Sequence, residues 1–292
     1  MIVITTPTGD IGSQVLAEVL TGSEPIRVVA RDPSKLPVEV LDRVEVVQGS
    51  HADAEVVAKA FDGADSLFWL PPGGPTSESA HAAYVTFSEP AVAALRNSGI
   101  KRVVGISALG RGWPKYAGHV TATLQADDMF AGTGVAYRAL ACGSLMENTL
   151  RQIKAIKTQG VFSAPSKGDR KVTAVASRDV AIYAARLLLD SSWDGVEEVP
   201  MKGPEDISFN EMAETMADVL GKPVRFQETA MADLYAMLIG RGASEGMADA
   251  TVALTTAKNE RIDAMILGPT PLLTPTTFAE WCRDVLRPAV QD

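Results

Sequence analysis

The feature that most constrains this chain is the run Thr5-Thr6-Pro7-Thr8-Gly9-Asp10-Ile11-Gly12-Ser13, which follows the apolar segment Ile2-Val3-Ile4 without a break. A buried strand that turns through glycine straight into a helix is the start of a βα unit. Gly9 allows backbone to approach a pyrophosphate, and Gly12 allows the helix to pack closely on the strand. The helix N-terminus offers free amides and the positive end of its dipole to phosphate oxygens. Thr6 stands where the usual glycine pattern has its first glycine.

The rest of the first half repeats the unit. Apolar, Val/Ile-rich runs at about 1–5, 26–30, 43–48, 66–70, 101–106 and 135–140 predict strands, with helical patterns near 12–21, 54–61, 77–97 and 119–132. Strands apolar on both faces and separated by helices belong to a parallel sheet covered on both sides. The expected fold is therefore α/β, a doubly wound parallel-sheet Rossmann fold with right-handed crossovers. After residue 140 proline and glycine break the rhythm, with helices expected near 145–158, 177–190, 208–220, 230–239, 246–259 and 276–287 and strands near 171–175, 196–200 and 223–227. This predicts a dinucleotide-binding domain over 1–140 and a smaller, mostly helical α+β substrate lobe over 141–292, some of its segments returning to the sheet.

Charge and composition narrow the partners. The 292 residues carry a net charge of −9 with no dense Lys/Arg run, which argues against nucleic acid or an anionic membrane surface. Two distant cysteines, Cys142 and Cys282, and three scattered histidines give neither a disulfide framework nor a metal-ligand spacing. The N-terminus has no basic segment and no apolar run of spanning length, so a cytoplasmic protein is expected.

A second motif bears on the ligand. The strand Ile26-Arg27-Val28-Val29-Ala30 runs into Arg31-Asp32-Pro33-Ser34-Lys35. An NAD-preferring site has a carboxylate at this strand end for the ribose 2′-hydroxyl; Ala30 and Arg31 suit a 2′-phosphate, with Lys35 a second cation. NADP(H) is the expected cofactor. Asp32 can cap a short helix or contact ribose.

With these stretches, Ala60-Phe61-Asp62-Gly63-Ala64-Asp65, Gly99 to Ala108, Leu145-Met146-Glu147-Asn148, Ser177-Arg178-Asp179-Val180-Ala181 and Thr277-Phe278-Ala279-Glu280-Trp281, the chain resembles the NmrA-like branch of atypical short-chain dehydrogenase/reductases along its whole length. The resemblance implies phosphate contacts from Thr8, Gly9, Asp10, Ile11 and Gly12, with Thr6 beside them, and a 2′-phosphate contact from Arg31. It puts Leu70, Pro71 and Pro72 beside the riboses and Ser107 facing the nicotinamide. The chain departs from the family at Ser50-His51, where an Asp usually holds the adenine amine. It departs again at Leu140-Ala141-Cys142-Gly143 near the nicotinamide, and at Thr123, where many relatives carry a basic or imidazole side chain.

The chemistry is unusual in one respect. A short-chain reductase ordinarily uses Tyr with Lys four residues later, the ammonium lowering the phenol pKa. Tyr84, Tyr116, Tyr137, Tyr183 and Tyr235 are followed at that spacing by Ser88, Val120, Ala141, Leu187 and Ile239, so no such pair exists. Candidate catalytic groups are Ser107, Tyr116 and His119, and candidate substrate contacts are Tyr116, Met146, Asn148 and Met237. The loop Pro71–Thr76 and the glycine-rich segment Ile239–Met247 are candidate gates. The expected activity is NADPH-dependent reduction of a ketone, quinone or activated double bond in a hydrophobic, polycyclic aromatic or polyketide-like small molecule, by a monomer or homodimer. The alternative is a non-catalytic NADP(H)-sensing regulator of the NmrA type.

Overall fold

A computed structural model describes residues 1–291. Its first half is the expected alternation: β1 (Ile2–Thr5), α1 (Asp10–Val19), β2 (Ile26–Ala30), α2 (Val38–Leu41), β3 (Glu45–Gln48), α3 (Ala54–Phe61), β4 (Ser66–Trp69), α4 (Phe87–Leu95), β5 (Arg102–Ala108), α5 (His119–Ala131) and β6 (Ala136–Cys142). The second half adds β7 (Ser144–Leu145), α6 (Ile153–Gln159), β8 (Val161–Ala164), β9 (Lys171–Val175), α7 (Ser177–Leu189), β10 (Val196–Lys202) and β11 (Asp206–Ser208). It closes with α8 (Phe209–Leu220), β12 (Arg225–Glu228), α9 (Met231–Gly240), α10 (Glu245–Asn259), β13 (Leu272–Leu273), α11 (Phe278–Trp281) and α12 (Arg287–Gln291).

Eight strands form one sheet in the order β13-β10-β6-β5-β4-β1-β2-β3, and each adjacent pair in it is parallel. The chain winds outward from β1 in both directions, so the order reverses between β1 and β4 and leaves a crevice at their carboxyl ends, where open α/β sheets bind ligands. Val3, Ile4 and Leu67 are fully buried, as strands covered on both faces must be. One face packs on α1 and α7 through Val15, Val28, Val104 and Leu140; the other packs on α3, α4 and the Phe130 end of α5 through Val57, Leu95 and Tyr137. A third core around Phe162, Met216, Phe278 and Trp281 belongs to the C-terminal half.

The C-terminal half departs from the expected elements in instructive ways. β10 and β13 join the main sheet, β10 beside β6, whereas β12 pairs with β8 and β9 pairs with β7 and β11 in two small sheets. β8, β11, β7 and β13 were not predicted. Each is only two to four residues long, too short to show a period of two, and each exists because a partner strand is already in place. The helix expected over 145–158 is a 3₁₀ stretch over Met146–Gln152 that leads into α6. The helix expected over 77–97 starts later, and a π-helical turn at Ala82–Thr86 precedes α4. Such turns are rare and often mark functional positions.

Candidate active site

The crevice is a cleft of about 970 Å³ with three walls. The first is the β1–α1 turn. Gly9 caps α1 with no side-chain hydrogen bond, so the first amides of the helix are unclaimed and face the cleft along with Thr8, Asp10 and Ile11. Gly12 does not line the cleft. A Cβ there would sit 2.0 Å from the Thr6 carbonyl oxygen, so its absence lets α1 lie against the end of β1. Thr6 takes the left-handed conformation (φ +50°) that the missing first glycine would adopt freely. A β-branched residue held there is strained, and its Oγ1 is buried without a partner. An orphaned hydroxyl beside uncapped amides fits a phosphate group and is otherwise a cost.

The second wall starts at the end of β2. Arg31 and Lys35 are exposed side chains lining the cleft, with no ion pair among the described residues. Asp32 is occupied as a cap: its carboxylate accepts from the Ser34 amide at 3.2 Å and hydroxyl at 2.6 Å, and the hydroxyl bond holds its pKa down. Of its two expected roles the structure shows the capping one. Ser50 and His51 follow β3. The His51 ring is buried edge-on against Trp69 and Phe87, its Nε2 is 3.2 Å from the Leu70 carbonyl, and burial pulls its pKa down to about 4. Neutral His51 therefore donates from Nε2 to that carbonyl. Leu70, Pro71 and Pro72 complete this side.

The third wall was barely legible in the sequence. The candidate substrate contact Asn148 lies on it, and so do Glu147, Leu150 and Arg151, all on the 3₁₀ stretch. Glu147 accepts from the Ser177 amide at the start of α7 (3.1 Å) and from Trp281 Nε1 (2.9 Å), and burial raises its pKa. The Ser177 hydroxyl in turn donates to Asp10 (3.0 Å), which ties α1, α7 and the C-terminal core together beside the cleft.

The remaining expected site residues lie elsewhere. Met146 is buried in the C-terminal core and Cys142 under α1 and α7, the thiol pushed up to about 12 by burial, so neither lines the cleft. In a 3₁₀ stretch Met146 and Glu147 point to different sides, and only the polar one faces the cleft. Met237 (40% exposed) and Tyr116 (60% exposed) face solvent outside it. Ser107 is buried near the end of β5, where its hydroxyl is hydrogen-bonded to Asp127 of α5; Tyr137 donates to the other Asp127 oxygen at 2.5 Å. Burial pushes the Asp127 pKa up to about 7 against the pull of these two hydrogen bonds.

His119 opens α5. The Thr251 hydroxyl donates its one proton to the Met247 carbonyl (2.8 Å), so it accepts from His119 Nε2–H at 3.0 Å. Burial lowers the His119 pKa, and its Nδ1 is buried without a partner. His119 is thus a neutral acceptor, not the proton donor that its place in the loop after β5 suggested. The two candidate gates do meet: Ser244 bonds the Pro75 and Ser77 carbonyls through its amide (3.0 Å) and hydroxyl (2.5 Å).

The cleft therefore fits a dinucleotide with its pyrophosphate on α1 and an added phosphate at Arg31 and Lys35. The comparisons point to the same kind of cofactor. Residues 7–191 match the family model described as NAD(P)H-binding. A (4-alkanoyl-5-oxo-2,5-dihydrofuran-3-yl)methyl phosphate reductase of Streptomyces griseus is 31% identical over 229 residues, 78% of this chain and 77% of that protein. An NAD(P)H azoreductase of Xenophilus azovorans is 26% identical over 97% of both chains. Among solved structures, the NADPH complex of an Escherichia coli quinone oxidoreductase superposes with a TM-score of 0.77 at 22% identity, covering 97% of this chain and 98% of that one. Citrobacter triphenylmethane reductase with NADP(H) gives 0.75 at 21%, covering 91% and 93%. No helix among the described residues is long and apolar enough to cross a membrane. The chain belongs to the NAD(P)H-binding family, in the NmrA-like branch of atypical short-chain dehydrogenase/reductases, and with it to a group of oxidoreductases.

Proposed function

We propose that the protein is an NADPH-dependent reductase acting on a ketone, quinone or activated double bond of a hydrophobic small molecule, without a Tyr-Lys pair. The observation that carries this reading is the pairing, in one cleft, of the uncapped α1 N-terminus with two exposed cations at the end of β2. The amides of α1 and the Thr6 hydroxyl would hold the pyrophosphate. Arg31 and Lys35 would take the 2′-phosphate, and His51 would wall the adenine. When bound, the nicotinamide supplies a hydride. Ser107 lies at the carboxyl end of β5, two residues beyond the Gly105–Trp69 pair, level with the start of the Pro71-Pro72 wall. Its hydroxyl bond to Asp127 would hold the carboxyl end of β5 in place behind the reacting end. The names of the relatives, a furanone phosphate reductase, an azoreductase and a quinone oxidoreductase, support reduction of conjugated acceptors.

Titration with NADPH and NADH tests the reading. Arg31→Ala should weaken NADPH binding by about 10- to 100-fold, the loss of one charge-assisted phosphate contact, and leave NADH within about twofold. Equal losses for both would overturn the 2′-phosphate assignment. Stopped-flow mixing with a panel of quinones and aromatic ketones should then oxidise bound NADPH; tight binding with no oxidation across the panel would favour the sensor.

A further inference from the structure

We propose that Tyr84 and Arg151 form the substrate-oxygen site, Tyr84 giving the proton that the missing Tyr-Lys pair would have given; this rests on the reductase reading. Tyr84 lies in the π-helical turn before α4, a three-residue step from Phe87; Phe87 and Arg151 both line the cleft, and Tyr84 sits just outside that lining, behind the Pro71–Thr76 loop. The hydroxyl of Tyr84 points at the Pro71–Thr76 loop: a Cβ on Gly73 would lie 2.8 Å from it. Gly73 is held at φ +57° there. Among the described residues the Tyr84 hydroxyl has no hydrogen-bond partner and Arg151 has no ion pair, although Arg151 is near enough to act on the charge of both Tyr84 and His119. The His119 ring stands edge-on to Tyr84, with centroids 5.8 Å apart. Its lone pair at Nδ1 can accept but has no proton to give, which leaves the phenol as the donor of this group.

The surroundings favour a phenol that stays protonated until it is needed. Tyr84 packs against the apolar cluster that includes Ala80, Ala122 and Met247, and this burial raises its pKa, while the guanidinium of Arg151 pulls the other way. The charged group that bears on it is Arg151 from the 3₁₀ stretch, and the ring beside it is neutral His119 from α5; the loop against its hydroxyl, Pro71–Thr76, has no ionisable side chain. The chemistry balances with NADPH as the reductant. As hydride reaches the carbonyl carbon, the C=O electron pair moves to oxygen, the Tyr84 O–H bond breaks and its proton goes to that oxygen. The phenolate left behind is favoured by the positive charge of Arg151 and regains a proton from solvent. A carbonyl oxygen is the group such a site recognises, so ketones, quinones and enones fit it and an isolated double bond does not.

Two measurements test this. In single-turnover mixing, Tyr84→Phe should slow hydride transfer by about 100-fold or more, the usual worth of a general acid, with NADPH affinity within about twofold of wild type. In the protein without nucleotide, ultraviolet difference titration of the phenols, with Tyr84→Phe used to assign the Tyr84 step, should show that step moving up by about half a pH unit or more in Arg151→Met. Arg151→Lys should restore most of that movement. An active wild type with Tyr84→Phe unimpaired, or a Tyr84 titration indifferent to Arg151→Met, would overturn the proposal alone. A wild type that oxidises no acceptor would overturn the reductase reading and this assignment with it.

Discussion

Asp127 offers a sharp test of how the Rossmann core is held together. Its carboxyl is buried (4% exposed) between β5, β6 and α5, with Ser107 on one oxygen and Tyr137 on the other. Burial pushes its pKa from 3.8 to about 7. The folded form therefore keeps its proton over a range where the unfolded chain has lost it. Stability is fully present below the unfolded value and falls as pH rises toward the folded one. The whole interval corresponds to about 4 kcal/mol, and about 3 kcal/mol of it lies between about pH 5 and about pH 8. Nearby Arg111 opposes the effect and Glu198 adds to it. Asp127→Asn keeps the shape and one acceptor but cannot ionise. Chemical denaturation of both proteins across that range should show the wild type losing about 3 kcal/mol relative to the variant as pH rises, whatever the offset between the two curves at low pH. Parallel curves would refute the assignment of a proton to buried Asp127, and with it the view that its two hydroxyl partners fail to offset desolvation.

Other changes have equally definite outcomes. Thr6→Gly should relieve the left-handed strain and raise stability by about 1 kcal/mol, read as an increase in denaturation midpoint, while NADPH affinity falls if the Thr6 hydroxyl contacts phosphate. Gly12→Ala should cost more than about 2 kcal/mol and abolish nucleotide binding, because its Cβ would meet the Thr6 carbonyl at 2.0 Å and force α1 away from β1; an intact dissociation constant would contradict this. Ser244→Ala removes both the cap of α10, whose hydroxyl accepts from the Met247 amide at 3.1 Å, and the tie to Ser77. Limited trypsin digestion should then cleave faster at Arg241, reflecting about 1 kcal/mol lost locally, with unchanged digestion elsewhere.

The sheet and the β1–α1 end of the cleft were written in the sequence because both rest on local chemistry. Continuous apolar runs mark strands covered on both faces, and the Thr5–Ser13 turn places α1 and its amides by chain connectivity alone. Arg31 and Lys35 follow from their position just after β2. Even the departure at Thr6 was visible, although only the backbone angle revealed that threonine is held in glycine's conformation. The other end of the cleft depends on contacts between residues far apart in the chain, for which no spacing rule exists. The structure decided that Tyr116 faces solvent, that a threonine 132 residues away fixes the tautomer of His119, and that Ser107 is bound to Asp127. It also brought Arg151 of the 3₁₀ stretch and Phe87 of α4, distant in sequence, onto the same cleft. A helical pattern reports which side chains are apolar, not against which part of the fold the segment packs, and that packing is what buries Met146 and leaves Glu147 at the cleft.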